Sequence, residues 1–429
     1  MRIEHIAMHE KYTPTYIYEL LNKANDVDKE YKVFGASKHK YKLNPPASMD
    51  EIRALEVELN ITFPEEFVYF YTRIGNGGAG PYYGLYSVEE IKRNCEGKQD
   101  DNIQPLIDSN LSYATWYKLM KQMEADDDAY DEIYQQVCSG AVIIGTQGCT
   151  FDNLLMFKGS EAGKIVYIDW NLEGEYPPVL TGTSFLEWYV NFYEDIIASY
   201  SVQHYGYIKR CTEQELIEAY KSSLTYEDKL DNLKGLLRFD RLSDKTINVL
   251  YNSQDIDTAV LRLELLLKYN SDLAMKLFDT YIYGQNVSAA IAVMLRIPKG
   301  LQQMYYKRAI EILYESTDCV TNTLLFFIGD QKCRKASDII EFTKNTSIDN
   351  ELKATTIYVI GKCPDAIDYE SHFIKWMKDD NYRVAHTALQ ASINLNHHSY
   401  ALMETFRWME ERYKNDRVMQ SNLNKVLKH

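Results

Sequence analysis

The alternation of apolar and polar residues predicts helices at the start of the chain. Apolar residues recur at helical spacing in three segments before the first glycine-rich stretch. These segments are 12–29, 48–60 and 64–74. Ser48 and Glu51 form the S-x-x-E pattern of a capping box, and Pro64 suits a helix start because its missing N–H costs nothing there. We therefore predict that the second and third helices begin at these two points.

Shorter apolar segments farther along the chain predict strands. They are 141–148, 152–159 and 163–170, and each is rich in branched residues and bounded by glycine. Such segments are typical of a meander. Residues 184–200 follow, with aromatic side chains at helical spacing. The first half therefore predicts an α+β domain, with a mostly antiparallel sheet and flanking helices.

The six residues GNGGAG at 75–80 fit G-x-G-x-x-G, the pattern of a dinucleotide-binding loop. That loop must follow a strand and open a helix. Here the glycines follow a predicted helix and precede Pro81. We therefore predict no nucleotide cofactor, a left-handed helix end at Gly75, and a tight loop of positive φ at the next three glycines. This loop is expected to present Tyr82 and Tyr83.

The second half of the chain is repetitive. Similar segments begin at Asp255, Asn286, Asp318, Asn350 and Asn381, at intervals of 31 or 32 residues. Each begins with Asp or Asn, which are good N-cap residues, and continues with apolar residues at helical spacing. A second amphipathic segment precedes most of them. Two helices per period of about 32 residues predict an all-α solenoid of HEAT-like type.

Negative charge is concentrated in one part of the chain. The whole protein has a net charge of −15, and residues 51–200 hold 9 basic and 25 acidic side chains, a net of −16. A field of this sign repels nucleic acid and anionic lipid and attracts a basic partner. The densest cluster runs from Glu124 to Glu132 and includes Asp126, Asp127, Asp128 and Asp131. It is either a solvated face or a docking patch for a basic surface.

The residues predict no catalytic or metal chemistry. The seven cysteines are scattered without C-x-x-C spacing, and the histidines lack metal-ligand spacing. No apolar run reaches the roughly 20 residues that cross a bilayer, so we expect a cytoplasmic protein with free thiols. The 35 tyrosines are unusual. They suit either a recognition surface or half-buried ring positions in a core.

Two groups of motifs occur in the first half in a characteristic order. The first group is Pro45, Pro46, Ile52, Leu55, Glu56, Leu59, Pro64, Phe67, Gly75, Asn76, Gly77 and Gly78. The second is Gly148, Asp152, Leu154, Gly159, Asp169, Phe185 and Trp188. Over roughly residues 41–200 they resemble the SUKH superfamily, which includes fungal cell-wall-synthesis regulators and bacterial toxin-immunity proteins. The resemblance implies a binding domain without catalytic residues. The long second half departs from the short single domains of that family.

These observations predict a helical extension at 1–40, a SUKH-like binding domain at 41–205 and a solenoid at 212–429. The favoured function is an immunity protein that neutralises a basic toxin domain, such as a nuclease. The predicted contact residues are Asn76, Tyr82, Tyr83, Asp126, Asp127, Asp128, Asp131 and Asp169. The alternative is a cytoplasmic scaffold without a toxin partner. A DNA-glycosylase solenoid is disfavoured because residues 211–429 hold 28 basic against 30 acidic side chains.

Overall fold

The computed structural model describes residues 11–95, 99–100, 102–172, 174, 176–315, 321–395 and 397–427. The chain divides into two compact units. Unit 1 comprises Met1–Glu218 and Asp231–Arg241, and unit 2 comprises Ala219–Leu230 and Leu242–His429. The chain thus enters unit 2 at Ala219, returns to unit 1 for the segment Asp231–Arg241, and continues in unit 2 from Leu242. The predicted layout at 1–40, 41–205 and 212–429 stays a prediction.

Helices make up the first part of unit 1. In chain order they are α1 Pro14–Val27, α2 Ala36–His39, α3 Met49–Leu59, α4 Glu65–Arg73, α5 Val88–Asn94, α6 Tyr113–Ala125, α7 Asp127–Cys138 and, after the sheet, α8 Phe185–Ile197. The predicted capping box is confirmed, since Ser48 and Glu51 cap α3 reciprocally. Pro64 is the N-cap residue of α4. The pair α6 and α7 has no counterpart among the predicted elements.

The sheet lies between α7 and α8 in the sequence. Its strands are β1 Ala141–Gly148, β2 Phe151–Met156, β3 Lys164–Asp169 and β4 Val179–Ser184, all antiparallel and adjacent in chain order. The three predicted strands and the meander are confirmed. The fourth strand was not predicted, because VLTGTS contains a glycine and little apolar alternation.

Both faces of the sheet are covered. Alternate strand residues point to opposite sides. One face carries Val142, Ile144, Leu155, Ile165 and Tyr167 into a core shared with α1, α4 and α8. The other face carries Leu154, Met156, Val166 and Ile168 into a smaller core under α6 and α7. Unit 1 thus has a three-layer α/β/α arrangement, in which the sheet lies between two separate groups of helices.

Tyrosine is a core residue in unit 1. Eight tyrosines of one core are at most 8% exposed: Tyr12, Tyr41, Tyr71, Tyr82, Tyr167, Tyr189, Tyr193 and Tyr205. Several hydroxyls donate to backbone carbonyls, such as Tyr71 to Tyr86 at 2.7 Å and Tyr189 to Ala79 at 3.1 Å. Burial raises the pKa of these phenols, so they remain neutral donors. The abundance of tyrosine therefore reflects core packing more than surface recognition.

A buried ion pair fixes the segment Asp231–Arg241 to α8. Asp195, on α8, is 2% exposed and accepts two bonds from Arg238, at 2.6 and 3.0 Å. Arg210 adds a third bond at 2.9 Å. The Arg238 guanidinium also lies 3.8 Å from the centre of the Tyr200 ring. A polar cluster with so many partners holds this late segment in unit 1.

Unit 2 is helical. Two helices, α9 Glu213–Ser222 and α10 Tyr226–Gly235, contain residues of both units. The helices that lie entirely in unit 2 come after them. They are α11 Asp244–Asn252, α12 Ala259–Tyr269, α13 Ser271–Ile282, α14 Val287–Val293, α15 Lys299–Gln302, α16 Tyr306–Glu315, α17 Thr321–Asp330, α18 Asn350–Gly361, α19 Glu370–Met377, α20 Tyr382–Ile393, α21 Tyr400–Arg412 and α22 Arg417–Leu427. Neighbours along the chain pack together, as do α18 with α20 and α20 with α22.

The predicted N-caps of the repeats are only partly right. Asn381 caps α20 through its side chain. Asp349, one residue before the predicted Asn350, caps α18. Asp255 is not a cap, because α12 begins after Thr258, and Asp318 lies outside the described residues. The amphipathic segment at 333–345 forms 3₁₀ turns, Ala336–Asp338 and Ile340–Lys344, where an α-helix was expected.

Candidate functional site

Two of the predicted contact residues, Asp169 and Asp131, lie at opposite faces of the sheet. Asp169 is the last residue of β3, and Trp170 follows in a bend, where its N–H donates to the Thr150 carbonyl at 2.9 Å and its ring packs against the core under α6 and α7. Successive residues of an extended chain point to opposite faces. Asp169 therefore lies on the face that carries Tyr167, and Trp170 on the face covered by α6 and α7. Each face has its own candidate surface.

The glycine loop runs along the outer edge of β1. Tyr86 N–H donates to Ile144 at 2.8 Å, and Tyr83 N–H donates to Thr146 at 3.3 Å. Gly77 and Gly78 have the predicted positive φ, of 74° and 100°, whereas the same prediction for Gly80 is wrong. The predicted left-handed conformation at Gly75 is wrong. Gly75 is required instead by close packing, because a Cβ there would lie 2.9 Å from the Leu43 Cβ.

The prediction that the glycine loop displays both tyrosines is wrong for Tyr82. Tyr82 is 5% exposed, and its hydroxyl donates to the Tyr205 carbonyl at 2.7 Å. Its positive φ of 58° turns the ring inwards, against Tyr167. Tyr83 is 37% exposed, as predicted. Tyr82 therefore supports the loop from inside, and only Tyr83 offers a ring to a partner.

Tyr83 belongs to a larger group of exposed aromatic side chains, which we call the aromatic patch. Its members are Phe34, Tyr83, Phe151 and Tyr207, with exposures of 54%, 37%, 40% and 37%. Phe34 meets Tyr83 edge to face at 5.1 Å. The Tyr83 ring also lies over Gly148, where a Cβ would come within 2.9 Å of it. Phe151 stands opposite Gly148 in the register of β1 and β2.

Polar groups hold Tyr207 and Asp169 at the border of the aromatic patch. The Tyr207 hydroxyl donates to the Gln147 side chain at 3.0 Å, and Gln147 donates to Asn153 at 3.0 Å. Asp169 accepts from the Thr150 hydroxyl at 2.6 Å. Burial raises the pKa of Tyr207, and the nearby Asp169 carboxylate raises it further. Asp169 therefore lies beside the aromatic patch that contains Tyr83, and the role of both residues in binding stays a prediction.

His39 supports the loop from beneath. Its Nδ1 accepts from the Tyr41 N–H at 3.0 Å, and the ring also bonds the backbone at Gly80 and Tyr82. Burial lowers the pKa of His39 to about 4. The imidazole is therefore neutral at pH 7, as an Nδ1 acceptor must be. The loop that positions Tyr83 depends on this neutral ring.

Asn76 has a structural role. Its side-chain oxygen accepts from the Val88 N–H at 2.8 Å, at the start of α5. Its carbonyl accepts from the Asn44 side chain at 3.0 Å. Both acceptors of Asn76 are thus used inside the unit. These two bonds give Asn76 a role in shaping the loop.

The acidic cluster forms the start of α7. Asp126 is its N-cap and accepts from the Asp128 N–H at 3.1 Å, while Asp127 and Asp128 lie in the first turn. Carboxylates at this position are favourable because they face the positive end of the helix dipole. All three are exposed. The same residues therefore stabilise the helix and present negative charge to solvent.

Asp131 lies one turn farther along α7, on the wall of a cleft of about 710 Å³. The cleft runs between α7 and the second face of the sheet. Its floor includes the cross-strand pair Ile143 and Leu154, and its walls include Tyr134 and Trp170. The two rings are 5.8 Å apart. The Trp170 indole N–H donates to Asp152 at 2.8 Å, which fixes the ring orientation.

Sequence reasoning missed most of the aromatic residues at these surfaces. Phe34, Phe151, Tyr207, Tyr134 and Trp170 lie in five different segments. Phe151 lies directly before one predicted strand and Trp170 at the end of another, and this position is the only local signal that could have indicated them. Nothing in the local pattern distinguishes an exposed ring from one in the core, since that depends on distant chain segments.

Within the described ranges, no group of three or more His, Cys, Asp or Glu is arranged to hold a metal ion. Each of the six cysteines that the structure describes lies outside any disulfide, and Cys363 alone among them is buried. Burial raises the pKa of Cys95, a residue of the cleft wall, so its thiol stays protonated at neutral pH. None of the helices in the described part of the chain is both long and apolar enough for a bilayer.

Comparison with known proteins gives one family. Residues 46–196 match the SMI1 / KNR4 family (SUKH-1), over about a third of the chain and wholly within unit 1. No curated protein and no solved structure matches the chain significantly. The matched family includes toxin-immunity proteins and fungal regulators, and its members are in general not catalytic. Tyr83, Phe151 and the named residues of the cleft lie within the matched stretch, whereas Phe34 and Tyr207 of the aromatic patch lie outside it.

Proposed function

We propose that unit 1 binds and neutralises a basic toxin domain, without catalysis of its own. The observation that carries the proposal is the net charge of −16 within residues 51–200, which nearly coincide with the matched domain. Nucleases bind a phosphate backbone and therefore need a basic surface. An acidic inhibitor can occupy that surface, and long-range attraction accelerates its association.

The aromatic patch and the start of α7 would make different contributions to such binding. The aromatic patch offers rings that are large, stiff and half-exposed, which is the type of side chain enriched at interface centres. The start of α7 offers exposed carboxylates, which act mainly on association when they lie at an interface rim. Tyr83 and Asp169 belong to the first contribution, and Asp126, Asp127 and Asp128 belong to the second. Tyr82 and Asn76 are left out because both are used inside the unit.

The experiment begins with capture of the partner by the full-length protein from the source organism. The captured protein is then expressed in a bacterial host with and without this chain. Growth arrest that co-expression relieves supports immunity. A captured protein that is harmless alone would favour the scaffold alternative instead.

Charge reversal then tests the electrostatic part. Reversal of Asp126, Asp127 and Asp128 to Lys should slow association about tenfold at low salt and by less at high salt, because exposed charges are screened. The matched control reverses three exposed acids of unit 2, namely Asp272, Glu311 and Glu404. Stopped-flow mixing at two salt concentrations measures both. Equal slowing by the two triple variants would contradict a specific acidic surface.

Replacement of Tyr83 by Ala tests the aromatic part. Because the ring is half-exposed, its loss should leave folding intact and speed dissociation of the partner, by about tenfold or more for an anchor residue. The exposed Tyr176 offers a control at 79% exposure outside the patch. An unchanged dissociation rate in Tyr83→Ala would move the interface away from the aromatic patch.

For unit 2 we propose a HEAT-like solenoid that adds a second binding surface. Two ion pairs join residues that would be equivalent in successive repeats. Glu264 pairs with Arg296, and Glu351 pairs with Arg383 at 2.6 Å, each pair 32 residues apart. Large apolar side chains are exposed at the related positions Leu295, Phe326 and Tyr358. Hydrogen exchange of the full chain tests this: protection that changes gradually from repeat to repeat supports the solenoid, and one uniform value contradicts it.

A further inference from the structure

The cleft between α7 and the sheet has the composition of a site for a cationic side chain. Its floor is apolar, at Ile143 and Leu154. Two aromatic rings, Tyr134 and Trp170, stand in its walls with their centres 5.8 Å apart. Its volume of about 710 Å³ falls in the range of pockets that hold small ligands or single side chains.

The charge of the cleft is negative. Asp131 precedes Tyr134 by three residues on α7, so both side chains lie on one helix face. Asp131 makes no hydrogen bond or ion pair with a described residue, whereas Asp100, on the other wall, already accepts from Asn102 at 2.8 and 2.9 Å. No lysine or arginine is found among the described residues that line the cleft. Asp131 is therefore an available carboxylate beside two aromatic rings.

We propose that this cleft receives an arginine side chain of the protein partner. A guanidinium is planar and weakly hydrated, so it can stack on Trp170 or Tyr134 while it donates to Asp131. The aliphatic part of the side chain would lie on Ile143 and Leu154. The indole bond to Asp152 at 2.8 Å holds Trp170 ready for this contact. The identity of the partner in this inference rests on the proposed function. The chemistry of the cleft does not depend on it.

The test uses the full chain labelled with 5-fluorotryptophan and read by fluorine NMR. The protein has five tryptophans, and a Trp170→Phe variant assigns the resonance of the cleft. The probe is Nα-acetyl-L-arginine amide, and its neutral isostere, Nα-acetyl-L-citrulline amide, is the matched control ligand. Arginine amide should shift the Trp170 resonance in a saturable way, and citrulline amide should shift it at least about tenfold more weakly, as loss of one charged contact implies.

Two variants locate the charge. Asp131→Asn should weaken arginine-amide binding about tenfold, because it removes the carboxylate that the guanidinium contacts. Glu132→Gln makes the same charge change at the next residue, which is exposed but does not line the cleft, and should change binding less than about twofold. No shift of Trp170, an equal shift with citrulline amide, or equal effects of the two variants would each overturn the proposal.

The two proposals fail in different ways. If a toxin partner is captured and neutralised but arginine amide leaves Trp170 unchanged, the cleft inference is wrong and the function stands. If arginine amide binds as expected but no basic partner is found, the cleft is a cation site and the immunity function is wrong. Binding of the partner to Asp131→Asn and Glu132→Gln joins the two tests, since only the first should speed its dissociation.

Discussion

Unit 1 and unit 2 are stabilised in different ways. Unit 1 surrounds a four-stranded sheet with helices from distant parts of the sequence, and buried polar contacts tie it together, such as Asp195 with Arg238. Unit 2 packs each helix mainly on neighbours along the chain, and its ion pairs between repeats, such as Glu351 with Arg383, are exposed. The comparison contrasts a buried ion pair with exposed ones, and burial decides how much free energy is lost when one partner is removed.

The largest expected effect comes from the buried ion pair of unit 1. Asp195→Ala should lower the free energy of unfolding by about 3–5 kcal/mol, because it leaves the Arg238 guanidinium buried without a counter-charge. Glu351→Ala breaks an exposed pair of unit 2 and should cost about 0–1 kcal/mol. Urea unfolding followed by tryptophan fluorescence and circular dichroism compares the variants. Similar losses in both would contradict the distinction between the units.

Helix packing in unit 2 gives the next effect. Gly329, on α17, and Gly361, on α18, lie 32 residues apart. A Cβ at Gly361 would lie 2.6 Å from the Ala391 Cβ, so Gly361→Ala should cost about 1–3 kcal/mol. At Gly329 the nearest atom is a Val359 methyl at 3.3 Å, and the gain in helix propensity should offset the contact.

The double variant Gly361→Ala with Ala391→Gly sharpens this test. It returns the contact volume to its original value, and thermal unfolding should show part of the stability recovered. If the second change adds its own loss instead, the close approach of α18 and α20 does not explain the first.

A smaller effect depends on pH and belongs to unit 1. The pKa of His39 is about 4 when folded and about 6.5 when unfolded. The unfolded chain therefore binds the proton more strongly, so stability is complete above pH 6.5 and falls as the pH falls towards 4. Linkage predicts a loss of about 1–2 kcal/mol between pH 7 and pH 5.

His39→Gln measures that contribution. Thermal unfolding at pH 7 and pH 5 should show a smaller acid loss in His39→Gln than in the unchanged protein. His397→Gln removes an exposed histidine of unit 2 and should keep the full pH dependence. An unchanged acid loss in His39→Gln would mean that other groups cause it.

The smallest effect separates the two loop tyrosines. Tyr82→Phe removes the hydroxyl that donates to Tyr205, and it should cost about 1 kcal/mol because the carbonyl is left buried without that donor. Tyr83→Phe keeps the exposed ring and should change stability by less than about 0.5 kcal/mol. Differential scanning calorimetry measures both. A larger loss at Tyr83 would reverse the assignment of inner and outer ring.

Local signals in the sequence determined the elements whose stability is local. Ser48 and Glu51 mark the start of α3 because a capping box needs only residues of one turn. Branched residues between glycines marked β1, β2 and β3, and the interval of 31 or 32 residues marked most helices of unit 2. Acidity likewise depends on composition alone, so the net charge of residues 51–200 needed no fold.

Tertiary structure decided everything that depends on distant segments. It placed Tyr82 inside and Tyr83 outside, because Tyr205 and Tyr167 receive the first ring and Gly148 leaves room for the second. It brought Trp170 beside Tyr134 and returned Asp231–Arg241 to unit 1. No local pattern encodes such pairs, because burial of a side chain is set by the residues that pack over it, and those residues are far away in the chain.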